Sequence, residues 1–340
     1  YDTLSMVRTA NTEFGEMALL EVGKGCGRGC RFCMEGEIYR PVRHRHIEAI
    51  LRAADTALQR GQRIGLVGAC VSDYPWIDSL MTALRARGVD VSLSSVRADS
   101  LTPGLVQGLV ESGSRTLTIA PEAGTERLRR VIHKEVSDQR LFEAVDLIAD
   151  SGVPRVKMYF MIGQPTETAE DVGGIVQFAK TARHRILRKR RDPKSLAELT
   201  VGVSCFVPKP WTAFQWCAMG EVREFDEKIQ HLKRELRPVG IRFTHDVPKW
   251  AYLQGVLSRG DRHVADLLHL ALLHRGDWRR AFREWPRNPD FYACRERPLT
   301  ERFPWDHFEV GTKRDRLEVE YQRAMGQLPE RPVKWKASLA

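Results

Sequence analysis

Three cysteines near the front of this 340-residue chain constrain it more than any other feature. Cys26, Cys30 and Cys33 stand in the run Gly25-Cys26-Gly27-Arg28-Gly29-Cys30-Arg31-Phe32-Cys33, a C-x3-C-x2-C spacing. Three thiolates on one short loop can hold three corners of an iron–sulfur cube and leave the fourth iron without a ligand from the loop. An open iron can chelate a small molecule, which makes a cluster catalytic. The interleaved glycines let the loop curl tightly, and Phe32 offers an apolar wall beside a cluster. Two plainer readings use the same residues. A zinc site could be completed by His44 or His46, or the thiols are simply buried. Structural zinc loops come as two separated pairs, and no second pair with that spacing occurs in the sequence.

Hydrophobic residues make up 42% of the chain, which leaves room for one large domain and a smaller one. No apolar run reaches the length of a membrane span and no signal-peptide pattern opens the chain, so a soluble protein with no membrane partner is expected. The seven cysteines follow no disulfide framework. A metal-binding reading needs free thiols, and both points predict a reducing, cytoplasmic setting. The chain opens on Tyr1 without the rhythm of a domain start, which reads as a piece of a longer protein. The net charge is +10, and Arg183, Arg185, Arg188, Lys189, Arg190, Arg191 and Lys194 crowd one segment. Such a run can grip RNA phosphates. It is more often a solvated helix end, and no aromatic residue is interleaved with it.

Apolar alternation and helical spacing follow one another along the chain. Strands are expected at 17–22, 63–68, 91–95, 116–120, 155–162 and 199–207. Helices are expected at 46–60, 76–87, 103–112, in two stretches within 122–149, and at 169–182. The fold class is therefore α/β: a partial (β/α)6 TIM-like barrel over 1–215, followed by a mostly helical extension over 216–340. In such barrels chemistry sits at the C-terminal ends of the strands. The extension should hold a helix at 222–237, a last strand at 241–245, and a helix with a core stripe of Val264, Leu267, Leu268, Ala271 and Leu272.

These residues together resemble the radical S-adenosylmethionine (radical SAM) superfamily, in its methylthiotransferase-like branch. Besides the cysteine loop and the strand Leu20-Glu21-Val22 that enters it, the similar segments are Ile38-Tyr39-Arg40-Pro41-Val42-Arg43, Ser94-Ser95-Val96-Arg97-Ala98-Asp99, Ala120-Pro121-Glu122-Ala123-Gly124-Thr125, Tyr159-Phe160-Met161-Ile162-Gly163-Gln164-Pro165 and Phe206-Val207-Pro208-Lys209-Pro210. The tail from Asp290-Phe291-Tyr292 to Pro304-Trp305-Asp306 is similar as well. The narrower group it resembles is one of unassigned substrates, many of whose members carry a cobalamin-binding-type domain upstream.

The resemblance implies a [4Fe–4S] cluster on Cys26, Cys30 and Cys33, as metal ligands and catalytic residues. It implies S-adenosylmethionine (SAM) bound through its amino and carboxylate groups to the open iron, and reductive cleavage to methionine and a 5′-deoxyadenosyl radical. Phe32 would flank the cluster. Gly68 and Ala69, where the family commonly has a Gly-Gly-Glu-type motif, would let backbone approach the SAM amino group, with Cys70 a small buried residue. Ser95 and Arg97 end the third strand. Arginine suits a carboxylate, and the plain alternative for Arg97 is an ion pair with Asp99 or Glu111. Glu122 would accept from the SAM amino group or ribose hydroxyls; otherwise it is a helix N-terminal carboxylate. Gly163, Gln164 and Pro165 resemble the adenine-side turn, or are an ordinary turn. Cys205, Cys217 and Cys294 read as isolated buried thiols rather than a second cluster. An electron donor such as flavodoxin or ferredoxin is implied. Cobalamin would need a domain preceding Tyr1, since no Asp-x-His-x-x-Gly pattern occurs here. Three functions stay open: a radical SAM enzyme serving a methylation, a tRNA methylthiotransferase-like RNA modification, and a non-catalytic zinc-stabilised nucleic-acid-binding module.

Overall fold

A computed structural model describes residues 4–5, 9–11, 15, 17–59, 63–93, 95–189 and 198–330. Seven parallel strands build it: β1 (Ala18–Glu21), β2 (Ile64–Val67), β3 (Val91–Ser92), β4 (Thr116–Glu122), β5 (Arg155–Ile162), β6 (Glu198–Cys205) and β7 (Arg242–His245). The first three form one sheet in the order β1-β2-β3, and the other four form a second in the order β4-β5-β6-β7. A parallel bridge between Val96 and Ile119 joins the two at their facing edges. Each strand thus lies beside the next in sequence, and every neighbouring pair is parallel. Parallel neighbours need a crossover, here supplied by α1 (Ile47–Gln59), α2 (Ile77–Ala86), α3 (Pro103–Glu111), α4 (Glu126–Val131), α5 (Asp138–Asp150), α6 (Ala169–Arg188) and α7 (Val222–Leu236).

The six strands expected for the barrel are present, and the last strand expected at 241–245 forms as well and joins their sheet. Arg242–His245 pairs with β6 from Thr200 to Val203, so the barrel sheet continues past residue 215. Alternation explains the packing. On β5, Val156, Met158 and Phe160 are buried against the helices, while Lys157 and Tyr159 face the other way, with the Lys157 ammonium 4.6 Å from the Tyr159 ring centre. The third strand is shorter than predicted, ending at Ser92; Ser94 lies outside the described residues.

The α6 helix starts on a capping box in which Thr168 and Asp171 exchange side-chain and backbone hydrogen bonds. It runs to Arg188 rather than stopping near 182, because Arg185 and Arg188 in the last turn complement the helix dipole. Arg183, Arg185 and Arg188 of the basic run are therefore helical and Lys189 caps the helix; Arg190, Arg191 and Lys194 lie outside the described residues.

Three cores result. The largest lies between the strands and their helices. A second sits behind the cysteine loop and joins Ile132, Phe206, Phe214, Trp216, Phe303 and Tyr321, with Phe32 packed against it. The third belongs to the extension: α8 (Pro248–Arg259), α9 (Val264–Leu273) and α10 (Trp278–Glu284) gather around Trp285 and Tyr292. The stripe expected on α9 is narrower than predicted. Val264, Leu267 and Ala271 are buried, but Leu268 and Leu272 are exposed, since one step along a helix turns a side chain about 100° off the face. Cys205 and Cys217 are buried as expected, whereas Cys294 is only half-buried. A last helix, α11 (Arg314–Ala324), closes over the cysteine loop from behind. Among the described residues no helix is long and apolar enough to cross a membrane.

Candidate active site

The candidate residues stand at or just beyond the C-terminal ends of the first five strands. The cysteine loop follows β1, Gly68 and Ala69 follow β2, Ser95 and Arg97 follow β3, Glu122 closes β4, and Gly163, Gln164 and Pro165 follow β5. That end of a parallel barrel is where reacting groups converge.

The cysteine loop is pinned on several sides. A two-residue antiparallel ladder, Gly23–Lys24 against Arg43–His44, closes its base. Gly25 takes φ +78°, and a side chain there would meet the Tyr39 carbonyl at 2.4 Å, so only glycine fits. The Arg31 guanidinium is buried behind the loop, donating to Glu320 at 3.1 Å, to Glu330 at 2.7 Å and to the Val131 carbonyl at 2.9 Å. The Arg31 amide donates to the Ile132 carbonyl at 3.0 Å, and His133 Nδ1 lies 3.0 Å from the Gly29 carbonyl oxygen. At the front, Arg28 donates twice to Asp73 at 2.6 Å and once to Asp99 at 3.0 Å. Arg97 donates to the same Asp99 through Nε and Nη2, at 2.9 and 3.0 Å, while its Nη1 reaches Cys30 Sγ at 4.0 Å. One chain of alternating charge thus ties the loop to the ends of β2 and β3.

Burial pushes the Cys30 thiol up, and outweighs the pull of Arg97 and Lys134. Burial likewise raises Cys33 to about 11. Left alone, these thiols stay protonated at neutral pH; a coordinated metal deprotonates a thiol outright. All three are free of disulfides. Among the described residues no three His, Cys, Asp or Glu side chains converge on one metal ion. His44, a candidate fourth zinc ligand, turns its ring edge-on to Tyr74. Three free thiols on one loop, with two cations drawn toward Cys30, fit an anionic iron–sulfur cluster.

The other half of the mouth is equally constrained. Glu122 is a non-glycine residue at φ +68°, where the β4–β5 register shifts. Such backbone is costly and gathers at functional sites. Its carboxylate meets Lys134 at 2.9 Å, and its carbonyl accepts from Gln164 Nε2 at 2.7 Å. Gln164 also donates to the Met161 carbonyl at 2.8 Å. Its Oε1, though buried, has no partner among the described residues. An unpaired buried acceptor costs about 1–3 kcal/mol, which a bound N–H would relieve. Gly163 takes φ +77°, with the Phe225 ring 2.3 Å from where a side chain would begin. The Gly163 amide donates to Glu167, which Lys228 pairs at 2.7 Å.

Arg97 has adopted its plain alternative, the ion pair with Asp99, but with one guanidinium edge left toward Cys30. Burial would lower its pKa; the hydrogen bonds and charge of Asp99 more than compensate and hold it above the usual arginine value. Ser95, Gly68 and Ala69 are exposed at the mouth. The Cys70 thiol is half-buried, 3.7 Å from Ser72 Oγ, and burial raises it to about 12. Sequence reasoning missed Arg28, Asp73, Lys134 and the backing Arg31. Arg28 lies inside the motif, but nothing in the spacing marks its partner 45 residues away.

Residues 20–179 match the model of the radical SAM superfamily. An uncharacterized protein of Methanocaldococcus jannaschii is 36% identical over 261 residues, covering 75% of this chain and 54% of that protein. The ribosomal protein uS12 methylthiotransferase RimO of Salinispora tropica is 30% identical over 185 residues, 50% of this chain and 36% of its own length. The chain spans about half or less of these relatives. Among solved structures, the radical SAM methyltransferase TsrM of Kitasatospora setae, with cobalamin and a [4Fe–4S] cluster bound, is 14% identical, covers 56% of this chain and 37% of its own, and has a TM-score of 0.44.

Proposed function

We propose, from the premise that this chain carries a radical SAM domain, that Cys26, Cys30 and Cys33 hold a [4Fe–4S] cluster at whose open iron SAM binds. Cluster and SAM together supply reductive cleavage of the sulfonium to methionine and a 5′-deoxyadenosyl radical. The observation that carries the reading is the Arg28–Asp73 and Arg97–Asp99 lattice, which ties the loop of the half-buried Cys30 to the ends of β2 and β3.

The chain's own residues then have distinct tasks. The lattice ties the loop that carries the three thiols to the segments after β2 and β3. Arg97 Nη1, the edge not used by Asp99 and 4.0 Å from Cys30 Sγ, would be the donor to the SAM carboxylate. Gln164 Oε1 and the Glu122 carboxylate are the acceptors for N–H or O–H groups of SAM. Phe32, between loop and second core, keeps water from the cluster's rear. Gly68, Ala69 and Ser95 leave the rim open for backbone contact. Electrons would come from a flavodoxin- or ferredoxin-type donor.

Anaerobic reconstitution with iron and sulfide tests this. A brown protein with matching iron and sulfide, releasing methionine and 5′-deoxyadenosine under dithionite, is the expected result. A colourless protein that takes zinc instead, and cleaves no SAM, overturns it in favour of the nucleic-acid-binding module.

Methylation is the first reading of the reaction served; a cobalamin-dependent methylation would need a cobalamin-binding domain that these residues do not supply. Identity to a RimO methylthiotransferase over half the chain favours methylthio transfer as a second reading. Mass analysis of tRNA nucleosides and of ribosomal protein uS12 from a deletion strain separates them: loss of a methylthio group from either identifies the second.

A further inference from the structure

The interior of the barrel is open. In a filled (β/α) barrel the inward side chains pack in layers and shut out water. Here the positions that alternate with the core stay partly or fully exposed: Leu19 on β1, Val67 on β2, Ser92 on β3, Thr118 on β4, and Lys157 and Tyr159 on β5. Among the described residues no pairing joins β7 to β1, so the interior also opens sideways. A glycine shapes the wall opposite the cysteine loop. Tyr159, Gly202 and Thr244 stand in register on β5, β6 and β7. A side chain begun at Gly202 would meet the Tyr159 ring at 2.9 Å and Thr244 Oγ1 at 3.3 Å. The glycine thus lets the ring lie down across β6 toward Thr244, and Tyr159 remains 39% exposed.

This wall lies just beneath the mouth. Phe160 is in register with Glu122, the last residue of β4, so Tyr159 sits one residue deeper than Glu122. Gly163 follows Tyr159 by four residues, about 13 Å along the strand. The Lys157 ammonium lies 4.6 Å from the Tyr159 ring centre, and that attraction holds the charge against the wall. The inward carboxylates are already engaged: Glu21 by Arg45 at 3.2 Å, Glu122 by Lys134 at 2.9 Å and Glu198 by Arg242 at 3.0 Å. Among the described residues no carboxylate pairs Lys157, and neither the Tyr159 nor the Thr244 hydroxyl has a hydrogen-bond partner. One ammonium and two hydroxyls, with no carboxylate opposite them, form a set of donors that suits an anion.

We propose that Lys157 and the Tyr159 hydroxyl, on the inward face of β5, recognise the substrate by an anionic group, a phosphate or a carboxylate. This rests on the reading of the mouth as the SAM site: a radical formed at the strand ends acts on what lies against it, and this wall is the part of the interior just below. The substrate's anion takes the place of the carboxylate that every other inward cation already has, and the open side between β7 and β1 is its way in. Gly202 is the positioning residue, since any larger residue there displaces the ring that carries the hydroxyl and steadies the ammonium.

Trace acetylation with acetic anhydride, read lysine by lysine by peptide mass spectrometry on the reconstituted protein, tests the proposal. Lys249 is the matched control, because its ammonium also lies over a ring, 5.0 Å from that of Trp250, but on the outer helix α8. With SAM present, millimolar inorganic phosphate or malonate should protect Lys157 severalfold and leave Lys249 unchanged. The anion that protects better at equal concentration names the group, phosphate or carboxylate. Tyr159→Phe keeps the ring and should lose much of the protection. Protection by neither anion, equal protection of Lys249, full protection by SAM alone, or undiminished protection in Tyr159→Phe overturns the proposal. SAM binding is measured in the same samples by equilibrium dialysis. If SAM fails to bind while anions still protect Lys157, the error lies in the SAM assignment and not in the anion site.

Discussion

Arg28 grips both carboxylate oxygens of Asp73 at 2.6 Å, and through them fixes the cysteine loop to the segment that follows β2. The carboxylate belongs to a single turn of helix, Val71–Asp73, and the guanidinium to the loop between Cys26 and Cys30. A bidentate pair restrains rotation as well as distance, so it sets where the thiols point. Asp73→Asn should keep the fold and weaken the loop's hold on metal. Charged hydrogen bonds contribute about 1.5–3 kcal/mol each when buried, and this partly exposed pair less. The expected outcome is faster iron loss to a chelator with little change in melting temperature. Unchanged chelation kinetics would show the pair to be incidental.

The thiols themselves should behave as a set. Replacing any one of Cys26, Cys30 or Cys33 by Ala removes one of three ligands, and two thiolates do not hold a cube. Iron and sulfide should fall to background in each variant. Cys294→Ala, in the helical extension, should load normally. Equal iron loss in all four would sink the assignment.

Arg97 and Glu122 should separate cluster assembly from SAM binding. Arg97→Ala should retain iron and weaken SAM binding by about 10- to 100-fold, the worth of one charge-assisted hydrogen bond. Glu122→Ala strands the buried Lys134 ammonium, so Glu122→Gln is the cleaner partner variant. Calorimetry giving wild-type SAM affinity in both Arg97→Ala and Glu122→Gln would move the pocket elsewhere.

The barrel was legible because its signals are local. Val156, Met158 and Phe160 alternate with polar residues, and Thr102-Pro103 and Thr168-Glu170-Asp171 mark helix starts. The cysteine motif was legible for the same reason: its three cysteines share one loop. What the sequence withheld is long-range. Arg28 finds Asp73 across 45 residues and Arg31 finds Glu320 across 289, and no spacing rule connects them. Arg97 illustrates the middle ground. Its position at a strand end was readable, but its commitment to Asp99, with only one edge facing Cys30, is a matter of geometry. The left-handed backbone at Glu122 is invisible for a similar reason, since glutamate does not announce positive φ.

Asp171 should be among the most sensitive stabilising residues outside the mouth. It is buried, caps α6 by accepting from the Thr168 amide at 2.8 Å, and also takes hydrogen bonds from Arg127 and Thr125. Burial alone would raise its pKa; those bonds prevail and hold it below the ordinary carboxylate value of 3.8. Because the folded pKa is depressed, its stabilisation is fully present above that unfolded value and fades as pH falls through the folded one. Asp171→Ala should therefore destabilise by about 2–4 kcal/mol at neutral pH. The gap to wild type, measured by urea unfolding, should narrow below pH 4. A gap independent of pH would mean that the ionised carboxylate is not what matters.

The basic residues that end α6 should lie away from the chemistry. The helix begins at Ala169, just past the C-terminal end of β5, and its 20 residues carry it about 30 Å back along the barrel. There it meets the face where β6 starts, with Glu198 in register with Arg155 at the beginning of β5. Arg185 is already engaged by Asp146, and Lys189 by Asp150. Arg183→Glu combined with Arg188→Glu should thus leave cluster content and dithionite-driven SAM cleavage intact. If this face docks RNA or an acidic reductase, the same variant should lose salt-sensitive binding of that partner, because exposed charges steer association and are screened by salt. Loss of dithionite-driven cleavage in a folded, iron-loaded variant would instead place this helix end at the active site and contradict the barrel polarity on which the whole assignment stands.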